Sequence, residues 1–514
     1  MCGIFFTNMQ HNDNIGNFNK IIHRGPDGKK MYQENDHYYG FHRLSIINPK
    51  LGINQPFFND GIITLCNGEI YNWQELSKEY GIEVETDCEI IPHLYIKLGR
   101  DFVKLVQLLD GEFAIILHDK VQNKIYAARD LFGIRPLFYS YENGKIELAS
   151  ELKALVCRAK HIEPRQIYTF NDNKELSIVP YWNFPKQQSL RNIPVDTIYD
   201  DLYQLLFKSV ESRTHSDRPI GCLLSGGLDS SLITALVSKI CPHIQCFVIG
   251  APDSTDVIAA QKVADFLKVP LQVVNFDRNE ALVAIPNVIN SLETYDITTI
   301  RASTPQWFLA HWISKNTDIK VVLSGEGSDE LFANGYAYTK LYDDAQELWH
   351  EGERLLSELH LFDCLRTDRS MASAGLEVRV PFLQKNIIEY VRNLDPELLL
   401  YSPIGILNLD RSIEKAILRG MAAKYKLLPS EVIWRPKEAF SDAVGFSWKD
   451  AIEQHTANQK ILEYKHLTPI SEEAQWYREI FDNKFPNQEK ILSHYWLPKK
   501  FKTNDPSARA LQFA

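Results

Sequence analysis

The chain of 514 residues has no run of 18 consecutive apolar residues and no apolar leader at its start. A helix needs about 20 mostly apolar residues to cross a bilayer, so we expect no membrane partner and no signal peptide. A block of adjacent basic residues is also missing, and the net charge is −10. Proteins that bind nucleic acid neutralise its phosphates with Lys and Arg, so nucleic acid is not expected as a partner.

The eight cysteines form no C-x-x-C pair, and no Cys and His residues share the spacing of a zinc finger. This pattern indicates neither a disulfide framework nor a sequence-encoded zinc site. We therefore predict a cytoplasmic protein, because thiols stay reduced in the cytosol. Most of the cysteines are then expected to be small core residues.

Cys2 differs from the others because it directly follows the initiator methionine. Methionine removal is favoured by a small second side chain, so the mature chain would begin with a thiol and a free α-amine on one residue. The thiolate is a nucleophile that an adjacent base can activate, and an α-amine with a pKa of roughly 8 is partly unprotonated near neutrality. A cysteine at position two also arises by accident, so position alone does not decide.

The texture of the sequence changes near residue 185, and a chain of this length is expected to form two or more domains. Residues 1–185 show short strands broken by turn signals, which predicts an α+β domain of antiparallel sheets. Residues 186–195 are a polar linker. Residues 196–514 alternate strands with helices, which predicts a parallel sheet with helices on both faces. The clearest predicted strands are 61–66, 113–117, 124–128, 219–224, 244–249, 271–276 and 319–323, and the clearest predicted helices are 87–98, 229–240 and 254–267.

A glycine-rich loop, Ser225-Gly226-Gly227-Leu228-Asp229-Ser230-Ser231, follows the first strand of the second half and precedes a helix. Backbone N–H groups at such a helix N-terminus bind anions. Asp229 suits an anion site only if a cation bridges it to the phosphates, and Mg²⁺ binds through carboxylates and substrate phosphates in this way. The competing interpretation is a turn with an N-cap. The loop lacks the G-K-[ST] of a Walker motif.

A second loop, Ser324-Gly325-Glu326-Gly327-Ser328-Asp329-Glu330, also follows an apolar strand. Ligands of open α/β sheets bind at the carboxyl ends of the strands, and three close carboxylates repel one another unless a cation is near. A solvated acidic loop is the alternative. A third segment, 434–442, contains Arg435 and Lys437, which can reach phosphates; read alone it is a surface loop.

In order and spacing, these motifs resemble the glutamine-hydrolysing asparagine synthetases over nearly the whole chain. The first half resembles a class II, N-terminal-nucleophile (Ntn) glutamine amidotransferase domain, and the second an ATP-pyrophosphatase-type synthetase domain. The motifs that carry the resemblance are Cys2–Ile4, His23–Asp27, His42–Ile46, Asn67–Asn72, Asp87–Glu89, Arg129–Gly133, Ser225–Ser231, Thr298–Ser303, Ser324–Glu330, Gly375–Leu383 and Trp434–Asp442.

The resemblance implies a role for each residue of the glutaminase half. Cys2 would attack the glutamine amide, with Asn67 and Gly68 as the oxyanion hole. The Asn67-Gly68 pair is expected to form a turn that exposes an N–H. Arg43 would pair with the α-carboxylate of glutamine, while Glu69 and Asp87 would hold its α-ammonium. The full implied glutamine-binding set is Arg43, Leu44, Ser45, Ile46, Ile47, Asn67, Gly68, Glu69 and Asp87.

For the synthetase half, the resemblance implies that aspartate attacks the α-phosphorus of ATP and forms an acyl-adenylate. Asp229 and Asp329 would ligate Mg²⁺, Glu326 would take a proton from ammonia, and Lys437 would stabilise charge between the phosphates. The implied ATP-binding set is Leu224, Ser225, Gly226, Gly227, Leu228, Asp229, Ser230, Ile249, Ser324 and Gly325. The implied substrates are glutamine, aspartate and ATP, and a homodimer is possible.

The family also implies an apolar passage for ammonia between the domains, whose lining the sequence does not show. Three departures from the family pattern stand out: a short segment between Cys2 and His23, Gln384 in place of an acid, and an extra residue in 332–336. A sister amide ligase that adenylates another carboxylate is the alternative, and a catalytically dead sensor would need a broken motif. A β-lactam-forming relative is less favoured, because Cys2 and the glutamine-binding residues are present.

Overall fold

The structure is a computed structural model that describes residues 1–171, 175–186, 193–401, 413–437 and 448–500. Its first part holds two six-stranded antiparallel sheets, ordered β10-β8-β9-β1-β3-β2 and β12-β11-β7-β6-β5-β4. The strands are β1 (Gly3–Thr7), β2 (Gly28–Glu34), β3 (His37–Arg43), β4 (Phe57–Asn59), β5 (Ile62–Ile70), β6 (Gly111–Asp119), β7 (Lys124–Arg129), β8 (Phe138–Glu142), β9 (Lys145–Ala149), β10 (Lys160–His161), β11 (Gln166–Asn171) and β12 (Leu176–Pro180).

The two sheets pack face to face, and helices cover the outer face of the second. Along β5, Ile63 and Leu65 point into the core between the sheets. Ile62 and Cys66 point to the opposite side, against the helices. This alternation follows from the two-residue period of a strand. The helices of this part are α1 (Asn14–Asn19), α2 (Trp73–Tyr80), α3 (Ile90–Lys97) and α4 (Phe102–Leu108).

The second part is built on a five-stranded parallel sheet ordered β15-β14-β13-β16-β17. Its strands are β13 (Ile220–Leu223), β14 (Gln245–Ile249), β15 (Leu271–Val274), β16 (Val321–Leu323) and β17 (Glu377–Arg379). The first three are joined by α6 (Leu228–Ile240) and α7 (Thr255–Leu267), after α5 (Val195–Arg213). Ser254 caps α7 by accepting a hydrogen bond from the Val257 N–H, which fixes where that helix begins.

The rest of this part is mostly helical, as the sequence predicts. These helices are α8 (Arg278–Leu292), α9 (Ile297–Asn316), α10 (Ser328–Leu331), α11 (Ala345–Glu358), α12 (Asp363–Ala372), α13 (Lys385–Asn393), α14 (Ala416–Lys424), α15 (Ser430–Ile433), α16 (Trp448–Thr456) and α17 (Glu472–Lys484). None of the described helices is long and apolar enough to cross a bilayer.

The predicted fold class of both parts is confirmed, and the predicted strands and helices lie within a few residues of the observed ones. Within the parallel sheet, β17 has no counterpart among the predicted strands because it has only three residues and two of them are charged. Glu377 and Arg379 are buried there because their side chains pair with each other at 2.8 Å. Charged residues at these positions hide the apolar pattern that identifies a strand.

Candidate active sites

Cys2 lies at the start of β1, half-buried under the segment that follows β3. Its sulfur accepts a hydrogen bond from the Leu44 N–H at 3.4 Å. Removal from solvent raises the pKa of the Cys2 thiol to about 11, so the thiol needs a neighbouring base to become a nucleophile. The Met1 amino group lies 3.8 Å from the Glu377 carboxylate, and burial lowers the pKa of that amine to about 6.

Asn67 and Gly68 lie inside β5, so the expectation that this Asn-Gly pair forms a turn is wrong. The strand continues because both residues keep antiparallel partners on β6. The Asn67 side chain is fully buried, and neither its amide nitrogen nor its carbonyl oxygen has a partner among the described residues. A buried amide without a partner costs free energy, so this position is suited to donate to a ligand oxygen.

Gly68 has no room for a side chain, since a Cβ there would lie 2.0 Å from the Glu112 carbonyl oxygen, at a φ of +152°. We therefore expect Gly68→Ala to displace β5 from β6, to cost about 1–3 kcal/mol of stability and to abolish glutaminase activity. Gly81→Ala is the matched control, because Gly81 also has a positive φ but nothing lies within 4 Å of its Cβ position. Thermal melting and glutamate release check this; equal effects of both substitutions would contradict it.

Arg43 is buried and donates hydrogen bonds to the carbonyl oxygens of Ile47 and Asn48, both at 2.9 Å, and to that of Gly52. These bonds fix the position of the guanidinium. Burial lowers the pKa of Arg43, and all three of these acceptors are backbone carbonyls, none a carboxylate. A buried guanidinium with spare donors is suited to a carboxylate ligand.

The remaining residues of this segment hold its backbone. Ser45 N–H donates to Asp27 at 2.8 Å. Leu44 and Ile46 pack with Ile47 and Cys2 against Val321 of the parallel sheet. Three of the predicted glutamine-binding residues, Leu44, Ile46 and Ile47, thus pack around Cys2 and contact the second domain.

Glu69 and Asp87 are buried next to each other, as expected for a site that attracts an ammonium group. Burial, and for Glu69 also the charge of Asp87, raises the pKa of both carboxyls. Asp87 is held by the Ile70 N–H at 2.8 Å. Arg379 lies 3.4 Å from Glu69, so a residue of the second domain reaches the pocket of the first. Arg379 lies in the motif Gly375–Leu383, for which the resemblance implied no role at this residue.

The loop of residues 225–231 turns directly from β13 into α6. Gly226 has a φ of +75°, and a Cβ there would lie 2.4 Å from the Ala260 nitrogen, so only glycine fits. The hydroxyls of Ser225 and Ser230 lie 3.0 Å apart across the loop. The N-terminus of this helix of 13 residues therefore faces the space above the sheet, as an anion site requires.

The two glycine-containing loops are in contact. A Cβ at Gly325 would lie 2.6 Å from the Ser230 nitrogen, and the Ser328 hydroxyl donates to Asp229 at 2.8 Å. Leu224, Ile249 and Ser324 are buried at the ends of their strands. All the predicted ATP-binding residues consequently lie at the carboxyl edge of the sheet.

Asp229 and Asp329 are brought together by a lysine that the sequence analysis missed. The Lys415 ammonium lies 2.6 Å from Asp229 and 2.5 Å from Asp329. Lys437 also pairs with Asp329 and lies 3.8 Å from Asp229. Burial alone would raise the pKa of Asp329, but the two ammonium groups outweigh it and lower that pKa. Two carboxylates that share one cation suit a divalent ion equally well.

The segment 434–437 lies beside the loop of residues 225–231, and its remaining predicted residues, 438–442, lie outside the described residues. Arg435 pairs with Asp256 at 3.1 Å and its guanidinium lies 3.5 Å from the Gly226 carbonyl oxygen. The Lys437 N–H donates to Glu414 at 2.7 Å, which fixes the lysine backbone.

Glu326 faces the interior of the site and pairs with Arg366 at 2.7 Å. Burial raises the pKa of Glu326, and the charges of Asp363 and Asp329 raise it further against the effect of Arg366. A carboxylate with a raised pKa is a better proton acceptor near neutrality. Arg366 has no role in the sequence analysis and holds this carboxylate in place.

Two of the three departures from the family pattern have clear contacts. Gln384 donates to Asp110 at 2.8 Å, where an acid would face a second carboxylate. In the lengthened segment, Ala333 has a φ of +57°, and the buried Asn334 accepts a hydrogen bond from the Lys415 N–H at 2.9 Å. The lengthened segment therefore positions the lysine between the two aspartates.

The two pockets lie at opposite ends of the same strands. Ile220 and Val321, which begin β13 and β16, pack in the cluster around Cys2, whereas the ATP-site loops follow the other ends. Buried ion pairs fill part of the domain contact, including Arg24–Asp368 at 3.1 Å and Arg213–Glu112 at 3.0 Å. The apolar passage for ammonia stays a prediction.

Comparisons with known proteins agree with this arrangement. The glutamine amidotransferase domain family matches residues 1–185, and the asparagine synthase family matches residues 201–355 and 341–505. The chain is 41% identical over 541 residues to a probable glutamine-hydrolysing asparagine synthetase of Acanthamoeba polyphaga mimivirus, covering 96% of this chain and 95% of the relative. It is 38% identical over 543 residues to the human enzyme, covering 96% of this chain and 94% of that one. The chain therefore belongs to the family of glutamine-hydrolysing asparagine synthetases.

Proposed function

We propose that this protein makes L-asparagine from L-aspartate, ATP and the amide nitrogen of L-glutamine, with AMP, pyrophosphate and glutamate as the other products. The observation that carries this proposal is the coexistence of two complete pockets on one chain. One pocket holds a thiol beside an unpartnered amide. The other holds a helix N-terminus and a lysine-bridged pair of aspartates.

In the first pocket, Cys2 would attack the glutamine amide carbon after methionine removal, with its own amine taking the thiol proton. The Asn67 side chain and the Gly68 N–H would donate to the oxyanion. Arg43 would hold the α-carboxylate, and Glu69 with Asp87 would hold the α-ammonium. Ammonia leaves as the thioester forms, and water then releases glutamate.

In the second pocket, an oxygen of the aspartate β-carboxylate would bond to the α-phosphorus of ATP as the bond to pyrophosphate breaks. The backbone of residues 225–230 and the Lys437 ammonium would hold the departing pyrophosphate. Ammonia would then attack the acyl carbon of β-aspartyl-AMP, and AMP would leave. Glu326 would accept the proton that the attacking nitrogen loses.

The residues that would hold Mg²⁺ are Asp229 and Asp329, whose carboxylates already converge on one ammonium group. When bound, the ion would neutralise charge on the phosphates.

Glu326→Gln tests the assignment of the second half-reaction. The amide keeps the shape of the side chain but cannot accept a proton, so we expect asparagine formation to fall by about 10²–10⁴-fold, while glutamate release continues. Amino-acid analysis of both products measures this. Normal asparagine output from the variant would contradict the role of Glu326.

A sister amide ligase with another acceptor acid is the alternative function, and no contact among the described residues favours it. Mass spectrometry of the amide product, with aspartate and competing acids supplied together, separates the two. We also propose a homodimer and a cytoplasmic location. Light scattering on the purified protein tests the first, and fractionation of cells the second.

A further inference from the structure

A group of metal-ligating side chains lies outside both pockets, on the first antiparallel sheet. The ligand atoms of His11, Glu147 and Cys157 all lie within 4.8 Å of one another. A fourth donor is close, because the Met9 sulfur lies 3.8 Å from the Cys157 sulfur. None of these residues is used in the proposed reaction.

The fold brings these residues together from three segments. Met9 and His11 follow β1, Glu147 lies on β9, and Cys157 lies in the loop beyond it. Thr7 and Glu147 are register partners in the antiparallel pair β1 and β9. The chain that continues from β1 therefore places Met9 and His11 close to the Glu147 carboxylate. Because His11 and Cys157 are 146 positions apart in sequence, the site lacks the short ligand spacing by which zinc motifs are recognised.

Glu147 is fully buried and its environment fixes its orientation. Its carboxylate accepts hydrogen bonds from the N–H groups of Val156 and Cys157 at 3.2 and 2.9 Å. Its one ion pair among the described residues is with His11, at 2.8 Å. A buried carboxylate needs a cation or several donors to offset its desolvation.

We propose that His11, Glu147 and Cys157 bind a divalent zinc ion, with the Met9 sulfur at the fourth position. An imidazole, a thiolate and a carboxylate are the ligands that zinc takes in proteins, and a thioether is a soft donor that zinc tolerates. Binding replaces the thiol proton, which is released to solvent. One thiolate and one carboxylate then neutralise the charge of the ion.

The distances allow this with small shifts of side chains. Zinc–ligand bonds of ~2.0–2.3 Å place neighbouring ligands roughly 3.3–3.6 Å apart. The His11 and Glu147 atoms, now 2.8 Å apart, would separate by about 0.5 Å to reach that distance. Burial and the charge of Glu147 raise the pKa of the Cys157 thiol, and a bound cation would reverse that shift.

The ion would be structural, since the group lies next to a contact between the two domains. Gln488, in the second domain, donates to the Cys157 carbonyl oxygen at 3.0 Å and accepts from the Ala159 N–H at 2.9 Å. A metal bound by both Cys157 and His11 would fix the loop that contains Cys157 and Ala159. This is the loop to which Gln488 is hydrogen-bonded.

Cobalt(II) substitution tests the site directly, because a thiolate ligand gives cobalt a near-ultraviolet charge-transfer band. The full-length protein is stripped with a chelator, supplied with excess Mg²⁺ to occupy the ATP site, and titrated with Co²⁺ and then Zn²⁺. We expect one thiolate–cobalt band per chain, bleached by an equivalent of Zn²⁺. Cys157→Ser should remove the band, and His11→Ala should weaken binding by more than about 10-fold, the least that even indirect partners of a ligand cost.

Two variants serve as controls. Cys241→Ser removes another half-buried free cysteine, and Cys2→Ala removes the thiol of the glutaminase pocket; both should keep the band. Circular dichroism of the metal-free Cys157→Ser protein checks that it folds. The proposal is overturned if the wild-type protein, stripped and then titrated with Co²⁺, shows no thiolate–cobalt band. It is also overturned if folded Cys157→Ser shows the same band.

Discussion

Cys2→Ala should abolish asparagine synthesis from glutamine and leave synthesis from ammonium salts near the wild-type rate. The Cys2 sulfur is the proposed nucleophile of the first pocket, and removal of a nucleophile of this kind lowers the rate by orders of magnitude. The second pocket should be unaffected, because the side-chain bonds of Cys2 are local, to Leu44. Rates with each nitrogen donor, measured by asparagine release, check this prediction.

The control for this experiment is Cys241→Ala, which truncates a half-buried cysteine at the C-terminal end of α6, outside the cluster around Cys2. It should retain both activities. If Cys2→Ala loses the ammonium-dependent reaction as well, while melting at the wild-type temperature, the division of labour between the two pockets is wrong.

Asp329→Asn should slow the aspartate-dependent exchange of pyrophosphate into ATP by at least about 100-fold. It should leave glutaminase activity unchanged. Loss of one carboxylate leaves Lys415 and Lys437 facing a neutral amide, and it removes half of the proposed magnesium site. A loss of about 3 kcal/mol in the stabilisation of transition-state charge corresponds to a factor of about 100. Isotope exchange with labelled pyrophosphate measures the effect.

Asp318→Asn is the matched control, because Asp318 is exposed and precedes the first residue of β16, whereas Asp329 follows the last. It should exchange pyrophosphate at the wild-type rate. Unchanged exchange in Asp329→Asn would remove this residue from the metal site and leave Asp229 as its single carboxylate.

The fold was largely predictable because its signals are local. β13 and β14 are buried and bounded by turn residues, and the Ser254 cap marks the start of α7. The glycine loops were predictable for the same reason, since Gly226 and Gly325 stand where a Cβ would clash with backbone. The prediction of a turn at Asn67-Gly68 was wrong because this dipeptide also occurs in strands. Here Gly68 is needed because β6 lies too close to leave room for a side chain.

Other features of the sites depend on contacts between distant segments, which no local pattern records. Lys415 reaches Asp229 across 186 positions of sequence, and it is the buried Asn334 that holds its backbone. Arg379 reaches Glu69 from the other domain. The His11 group forms only because β1 and β9 are paired. Lys415, Arg379 and His11 look like ordinary surface charges when the sequence is read alone.

The most direct test of the central claim follows the nitrogen atom itself. Glutamine labelled with ¹⁵N in its amide is supplied with aspartate, ATP, Mg²⁺ and an excess of unlabelled ammonium at low pH, where little free ammonia exists. We expect asparagine that carries ¹⁵N in its amide, with AMP and pyrophosphate formed in equal amounts. Unlabelled asparagine, or ADP in place of AMP, would contradict the account.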